Sequence, residues 1–398
     1  MTTSSTSADT RVASINIVRG FALICMVVIH FVIYFGNAKA VDTWLYFGLN
    51  HILADWGASG FLIMMGASQV LSAHKLAGPD GRLPFKRTLI RGVFIFLIGL
   101  LMLALAWGPA NMWQWDILTL IGFATIILYF CRRLPSWCLL LLALMIAAST
   151  PLMRGGLDIA SAWKSSMAPV AIISHYIPNL LFDPAGELPH AANVKSILLG
   201  FLLTGEFPVF PWLLFPLIGF VLGRRIVLRR IPKDLPFLFT AGVFFIALGL
   251  ALAYAGSLRP EVSVIDGYIV PLSFYPNSFS MIFFQLGLSM TFIFFLYYRY
   301  DIRNTAQQKQ GFWSGIFTRT SHSSLTFYFL HYLPIGWTLA IADLVWGGKH
   351  IYNLCGVIPA FLSGLVAVTV LYGLIEAWQR HGGKFTLEWC LYAMTKRL

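Results

Sequence analysis

Ten apolar runs, none interrupted by Lys, Arg, Asp or Glu, dominate this 398-residue chain: 20–36, 56–73, 92–115, 117–131, 134–153, 207–223, 235–258, 267–298, 320–342 and 350–375. About 20 such residues cross the hydrocarbon core of a bilayer as a helix, the form in which a spanning segment satisfies its own backbone hydrogen bonds. The runs therefore predict an all-α, polytopic transmembrane helix bundle of about ten spans. Composition agrees: 58% of residues are hydrophobic and 11% charged, against ~25% charged in a soluble domain. An ordinary cytosolic enzyme, a disordered chain and a DNA-binding protein are excluded. The 117–131 run is short, and Trp113, Trp115 and Asp116 read as extending it into an interface. The 267–298 run is too long for one span, and Pro271 and Pro276 place the expected helix start near Tyr275.

Lys and Arg set the orientation. With the N-terminus in the cytoplasm, alternate connections carry 22 Lys and Arg inside and six outside. That asymmetry predicts both termini in the cytoplasm and accounts for the +12 net charge without nucleic acid. Residues 20–40 also imitate a signal peptide ending at Ala38-Lys39-Ala40, although the apolar run exceeds a usual h-region. The 154–195 loop, with an amphipathic stretch at 165–182, reads as lying on the outer interface; a true span there would give twelve spans instead. The five cysteines read as buried small hydrophobes, and no metal-ligand spacing is present.

Ionisable residues inside a bilayer are costly and default to functional candidates. Arg19 and His30 on the first helix, His331 on the ninth and Glu376 at the end of the tenth meet that condition. Eleven residues separate Arg19 from His30, about 20° past three full turns, so they share a face, ~16 Å apart in rise. His331 lies eleven residues past Thr320, the expected inner edge of its run, and so at the depth of His30. His51 and Asp55 form an i, i+4 pair before the second helix; the carboxylate would orient the imidazole and raise its basicity. Two basic clusters, Lys86, Arg87 and Arg91, then Arg224, Arg225, Arg229 and Arg230, orient the protein and offer forks to a polyphosphate. Glu206 sits in a Pro-interrupted stretch, 205–212, read as a cavity wall near the outer side.

Several of these residues carry a resemblance. Arg19-Gly20-Phe21-Ala22 with Met26-Val27-Val28-Ile29-His30 resembles the opening helix of the transmembrane acyltransferase superfamily, with the Arg-x10-His spacing of the acyltransferase-3 families. Ala54-Asp55-Trp56 with the 61–68 segment is similar to the second helix of the heparan-α-glucosaminide N-acetyltransferase-like branch. The 323–331 segment resembles a late helix of the superfamily, and Leu387-Glu388-Trp389 a C-terminal motif of related bacterial membrane proteins. That branch carries its histidine further from the Asp than His51 stands from Asp55, so the carry-over to His51 is approximate.

The resemblance implies a single integral membrane domain over 1–398, in a bacterial inner membrane. It would take an acyl group, usually acetyl, from cytoplasmic acyl-CoA and deliver it to a hydroxyl or amine of a glycan or small-molecule acceptor at the far face. Acyl transfer needs a base and oxyanion donors. His30 or His51, with Asp55, is expected to supply the base; His331, Ser324 or Tyr328 the donors. Arg19, Lys86, Arg87, Arg91, Arg224 and Arg225 are the candidates for the acyl-CoA phosphates, and Glu206 for the acceptor. Direct transfer and an acyl-histidine intermediate both fit the sequence. The rival class is a transporter or flippase, which also uses helix breaks and midplane charges. A purely structural membrane protein explains neither histidine. A homodimer is compatible with the sequence.

Overall fold

The computed structural model describes residues 12–37, 44–48, 50, 55–76, 84–155, 194–228, 231–258, 268–275, 277–303, 311–346 and 355–396. They form twelve principal helices: α1 Ala13–Phe35, α2 Asp55–Leu76, α3 Phe85–Trp107, α4 Ile117–Cys131, α5 Ser136–Gly155, α6 Leu214–Val227, α7 Ile231–Ser257, α8 Phe279–Tyr297, α9 Phe312–His322, α10 Ser324–Trp346, α11 Val357–Arg380 and α12 Leu387–Thr395. No strand occurs among the described residues beyond one isolated bridge, Gly36 to Cys355. Seven helical segments are long and apolar enough to cross a membrane. Nine of the ten apolar runs overlap one principal helix each, the 320–342 run overlaps both α9 and α10, and α12 is additional. The 154–195 loop lies outside the described residues for most of its length, as do His51, Arg229, Arg230 and the Ala38–Ala40 stretch.

Helix α1 runs through the middle of the bundle, packed on α2, α8, α9, α10 and α11. Its first turn is capped from afar: Asp301, just past α8, accepts the Ala13 and Ser14 amides at 2.7 and 3.1 Å. Glycine sets the closest approach. A Cβ on Gly219 of α6 would stand 2.0 Å from the Ile63 carbonyl of α2, and one on Gly66 of α2 would stand 2.2 Å from that of Pro216. Backbone-to-backbone contact of this kind gives small residues their value between membrane helices. Gly219→Ala should therefore cost about 1–3 kcal/mol by overpacking. Gly315→Ala, where nothing lies within 4 Å, is the control. Equal melting temperatures for the two variants in detergent would contradict this packing argument.

Three expected boundaries move, each for a local reason. The helix of the 267–298 run starts at Phe279, not near Tyr275, because the Ser278 side chain caps it by accepting from the Met281 amide at 3.2 Å. The 320–342 run is broken: α9 ends at His322 and α10 starts at Ser324, with Ser323 outside helical geometry. The inner edge for His331 is therefore Ser324 rather than Thr320. Asp116 does not lengthen α4, which starts at Ile117. It is fully buried, and as N-cap accepts the Leu118 amide at 2.9 Å.

Candidate active site

Two histidines 301 residues apart in sequence meet inside the bundle. His30 Nδ1 lies 2.9 Å from His331 Nε2, with the rings nearly parallel at 13° and their centroids 5.1 Å apart. The second nitrogen of His331, Nδ1, contacts the Tyr328 carbonyl one turn earlier on α10. A carbonyl only accepts, so His331 Nδ1 carries the hydrogen. Neutral His331 then presents a lone pair on Nε2, and His30 Nδ1 must donate to it. What remains is the His30 Nε2 lone pair, with the Tyr332 hydroxyl 3.5 Å away. One contact with a backbone carbonyl thus fixes the tautomers of both rings. His331 is fully buried, whereas His30 is partly accessible. Tyr34, Trp107 and Tyr332 wall the space beside His30, with successive ring centroids 5.2 and 6.1 Å apart.

Eleven residues down α1, a cavity of about 70 Å³ opens between α1, α2, α3 and α4. Arg19, Arg87 and Arg91 line it, with Ser68, Gln69 and Thr88 among its polar wall. Like charges repel across it: Arg91 acts on Arg19, and Arg87 on Arg91. Arg19 gives one guanidinium hydrogen to Ser324 Oγ at 2.7 Å and lies over the Phe61 ring, but its Nε has no partner. Arg19 and Arg87 are half-buried and Arg91 is exposed, so solvent screens part of the cost of holding three like charges together. An anion between them would remove that cost. The volume is well below the roughly 300–1,000 Å³ of a pocket that encloses a drug-sized ligand, so the cavity takes one segment of a longer molecule.

The carboxylates gather at the other end. Tyr328 donates its hydroxyl to Asp116 at 2.6 Å, and Glu206 lies within electrostatic reach of Asp116. The chain around Glu206 is irregular, held by the Glu206 and Phe207 amides on the Gln114 and Trp115 carbonyls, both at 2.9 Å. Arg154 clamps this region. Its guanidinium donates to the carbonyls of Leu203, Asn277 and Phe210 at 3.1, 2.8 and 3.4 Å. Asp55, first residue of α2, is buried at the same end, near Tyr46 and Tyr275.

The structure thus joins His30 to His331, and Arg19 to Arg87, Arg91 and Ser324. It does not join the rest of the expected phosphate set. Lys86 is exposed and does not line the cavity. Arg224 donates to the Leu134 and Arg132 carbonyls at 2.7 and 2.6 Å, bracing the turn between α4 and α5. Arg225 forms a bidentate pair with Asp234 at 2.7 and 2.5 Å. Tyr328 commits its hydroxyl to Asp116, and Ser324 sits seven residues before His331, ~10 Å along α10. Tyr332 is the hydroxyl beside the base. Glu376 pairs with Arg319 and Arg380 at 3.3 and 3.6 Å.

Sequence reasoning passes over Tyr332, Gln69 and Glu388 as site residues. Tyr332 is signalled only by adjacency to His331. Gln69 is a lone amide in an apolar run. Glu388 is quoted for its motif, but its partner is 62 residues away. Its carboxylate caps α10, accepting the Leu325 and Thr326 amides at 2.6 and 3.0 Å and the Thr326 hydroxyl at 2.5 Å. A carboxylate at a helix N-terminus also complements the dipole. Glu388→Ala should destabilise the protein by about 1–3 kcal/mol, the penalty for stranding buried donors. Glu388→Gln keeps an acceptor oxygen and should recover part of it. A melting curve unchanged by Glu388→Ala would argue against the cap.

Among the described residues no group of three or more His, Cys, Asp or Glu is placed to hold a metal. A family model described as heparan-alpha-glucosaminide N-acetyltransferase, catalytic, matches residues 11–236. No curated protein and no solved structure matches the chain.

Proposed function

Because the chain belongs to the heparan-alpha-glucosaminide N-acetyltransferase family, we propose that it moves an acetyl group from cytoplasmic acyl-CoA to an amine or hydroxyl at the outer face. The family and the apolar helices make it an integral membrane protein of acetyltransferase type. The proposal adds the donor, the direction and the acceptor. A glycan is the acceptor in this reading, an amino sugar first among glycans, a choice that the family's name supports. The bundle acts as one domain over 1–398, with ten spans, both termini in the cytoplasm, in a bacterial inner membrane.

The single observation that carries this reading is the His30–His331 contact, standing eleven residues of α1 above the arginine cavity. That rise, ~16 Å, is one an extended pantetheine arm covers. Arg19, Arg87 and Arg91 hold the anionic part of the donor chain at the cavity. His30 Nε2, its lone pair aimed away from His331, takes the proton from the acceptor nitrogen or oxygen as that atom attacks the acyl carbon. The Tyr332 hydroxyl beside it offers a hydrogen bond to the developing oxyanion. His331 keeps the tautomer and stays neutral, because a second buried cation would have only a backbone carbonyl to solvate it. The proton on His30 returns to the departing thiolate. Asp116, Glu206 and Asp55 at the outer end favour an acceptor bearing hydroxyls or an ammonium group. His51 remains a second candidate base.

The test uses purified protein, radiolabelled acetyl-CoA and pooled envelope glycans. Label should pass to glycan with release of one thiol per acetyl group. Binding of acetyl-CoA without release of thiol, for any glycan fraction, would count against the assignment.

A further inference from the structure

We propose that Gln69 reads an amide N–H of the acyl donor, so that the cavity selects a chain carrying an amide as well as an anion. The inference rests on the donor-site reading above and adds a specificity residue to it. Its basis is a mismatch within the cavity. Arg19, Arg87 and Arg91 are donors and cations, and they call for an acceptor anion. Gln69 calls for the opposite. Its Nε2 donates to the Thr125 carbonyl at 2.7 Å, which fixes the orientation of the carboxamide, since a carbonyl accepts and never donates. The carbonyl oxygen of the same side chain, Oε1, is buried and has no partner.

A buried acceptor left unpaired costs about 1–3 kcal/mol, and among the arginines a bare anion would worsen its position by facing it with like partial charge. A ligand N–H repairs it. Two neighbours complete the recognition of an amide. Ser68 Oγ and Arg19 Nε, both buried, both without partners and both on residues that line the cavity, are donors suited to an amide carbonyl. The residues that line the cavity therefore hold one unpaired acceptor and two unpaired donors, the groups that a secondary amide complements, together with charges that complement phosphate. Pantetheine thioesters carry both groups on one chain. An acyl phosphate carries no amide, and neither does an acyl lipid of the ester type. The site would discriminate against both, because a buried group built to bond an N–H is left unpaired by a donor lacking it.

The experiment compares two probes on the full-length protein in nanodiscs: coenzyme A, and 3′,5′-adenosine bisphosphate, which has the phosphates without the amides. Gln69→Leu and Gln69→Met should weaken coenzyme A about tenfold and leave the bisphosphate within about twofold. Arg91→Gln should weaken both. Melting temperatures of the unliganded variants control for folding. Unchanged coenzyme A affinity in both Gln69 variants overturns the proposal and leaves the donor-site reading standing. Equal loss for the two probes overturns it too, since Gln69 would then act on the shape of the cavity. Failure of the wild-type protein to bind coenzyme A at all would instead remove the donor-site reading, and the inference with it.

Discussion

Replacing His30 with alanine should lower turnover by about 10²–10⁴-fold, the usual contribution of a general base, while coenzyme A affinity stays within about twofold. The two effects separate because His30 stands eleven residues from Arg19 and does not line the arginine cavity. The rate should fall on the acid side, as the imidazole takes up its proton and loses the Nε2 lone pair. His331 gives a sharper test of the geometry. Alanine there removes the acceptor that holds His30 Nδ1–H and should cost nearly as much. Glutamine at 331 can still present an oxygen to that N–H, 2.9 Å away in the native pair, and should restore a measurable part of the rate. If glutamine and alanine at 331 are equally poor, His331 carries the proton and does more than orient its partner. Near-full activity in His30→Ala would remove His30 as the base and return the role to His51.

Arg19→Lys is the second large effect expected. Lysine keeps the charge but loses the fork, and Arg19 uses that fork in two directions at once: one nitrogen on Ser324 Oγ at 2.7 Å, and Nε unpaired at the cavity. Hydrogen bonds to charged groups contribute about 1.5–3 kcal/mol each, so one lost contact should raise the Kd for coenzyme A by about tenfold to a hundredfold. Arg19→Ala should do at least as much and also strand Ser324. Titration by calorimetry in nanodiscs measures both. Arg224→Lys, by contrast, should leave the Kd alone and loosen the turn between α4 and α5, whose carbonyls Arg224 holds. If Arg224→Lys proves the more damaging to binding, the phosphates lie on the 224–225 cluster and the cavity is misassigned.

The membrane class and the ten helical segments were legible because hydrocarbon imposes a one-dimensional rule: a spanning backbone must be apolar and helical for its whole length. Helix phase was legible too, and it put Arg19 and His30 on one face; the depth of His331 was counted from Thr320, an edge that the break at Ser323 moves to Ser324, although the two histidines do meet. The rule fails where backbone polar groups find partners other than their own helix. Ser278 caps α8 and moves its start, and Glu388 reaches back 62 residues to cap α10. Asp116, charged and beside an apolar run, reads as interfacial until Tyr328, 212 residues away, supplies its buried partner. The basic clusters were visible as charge, but charge alone does not distinguish Arg91, which lines a cavity, from Arg225, which is taken by Asp234. Gln69 had no signal at all, since an orphaned oxygen exists only once its neighbours are in place.

Helix α1 packs on α2, α8, α9, α10 and α11, and all of these but α2 lie beyond residue 236. The family match stops at residue 236. A gene trimmed to that stretch would encode Arg19, His30 and Gln69 and omit His331, Ser324, Tyr332 and Glu388. Such a fragment would hold the base without the ring that sets its proton, and the leading arginine without its serine. Its silence in an assay would be an artefact of the scissors and would say nothing about the intact enzyme.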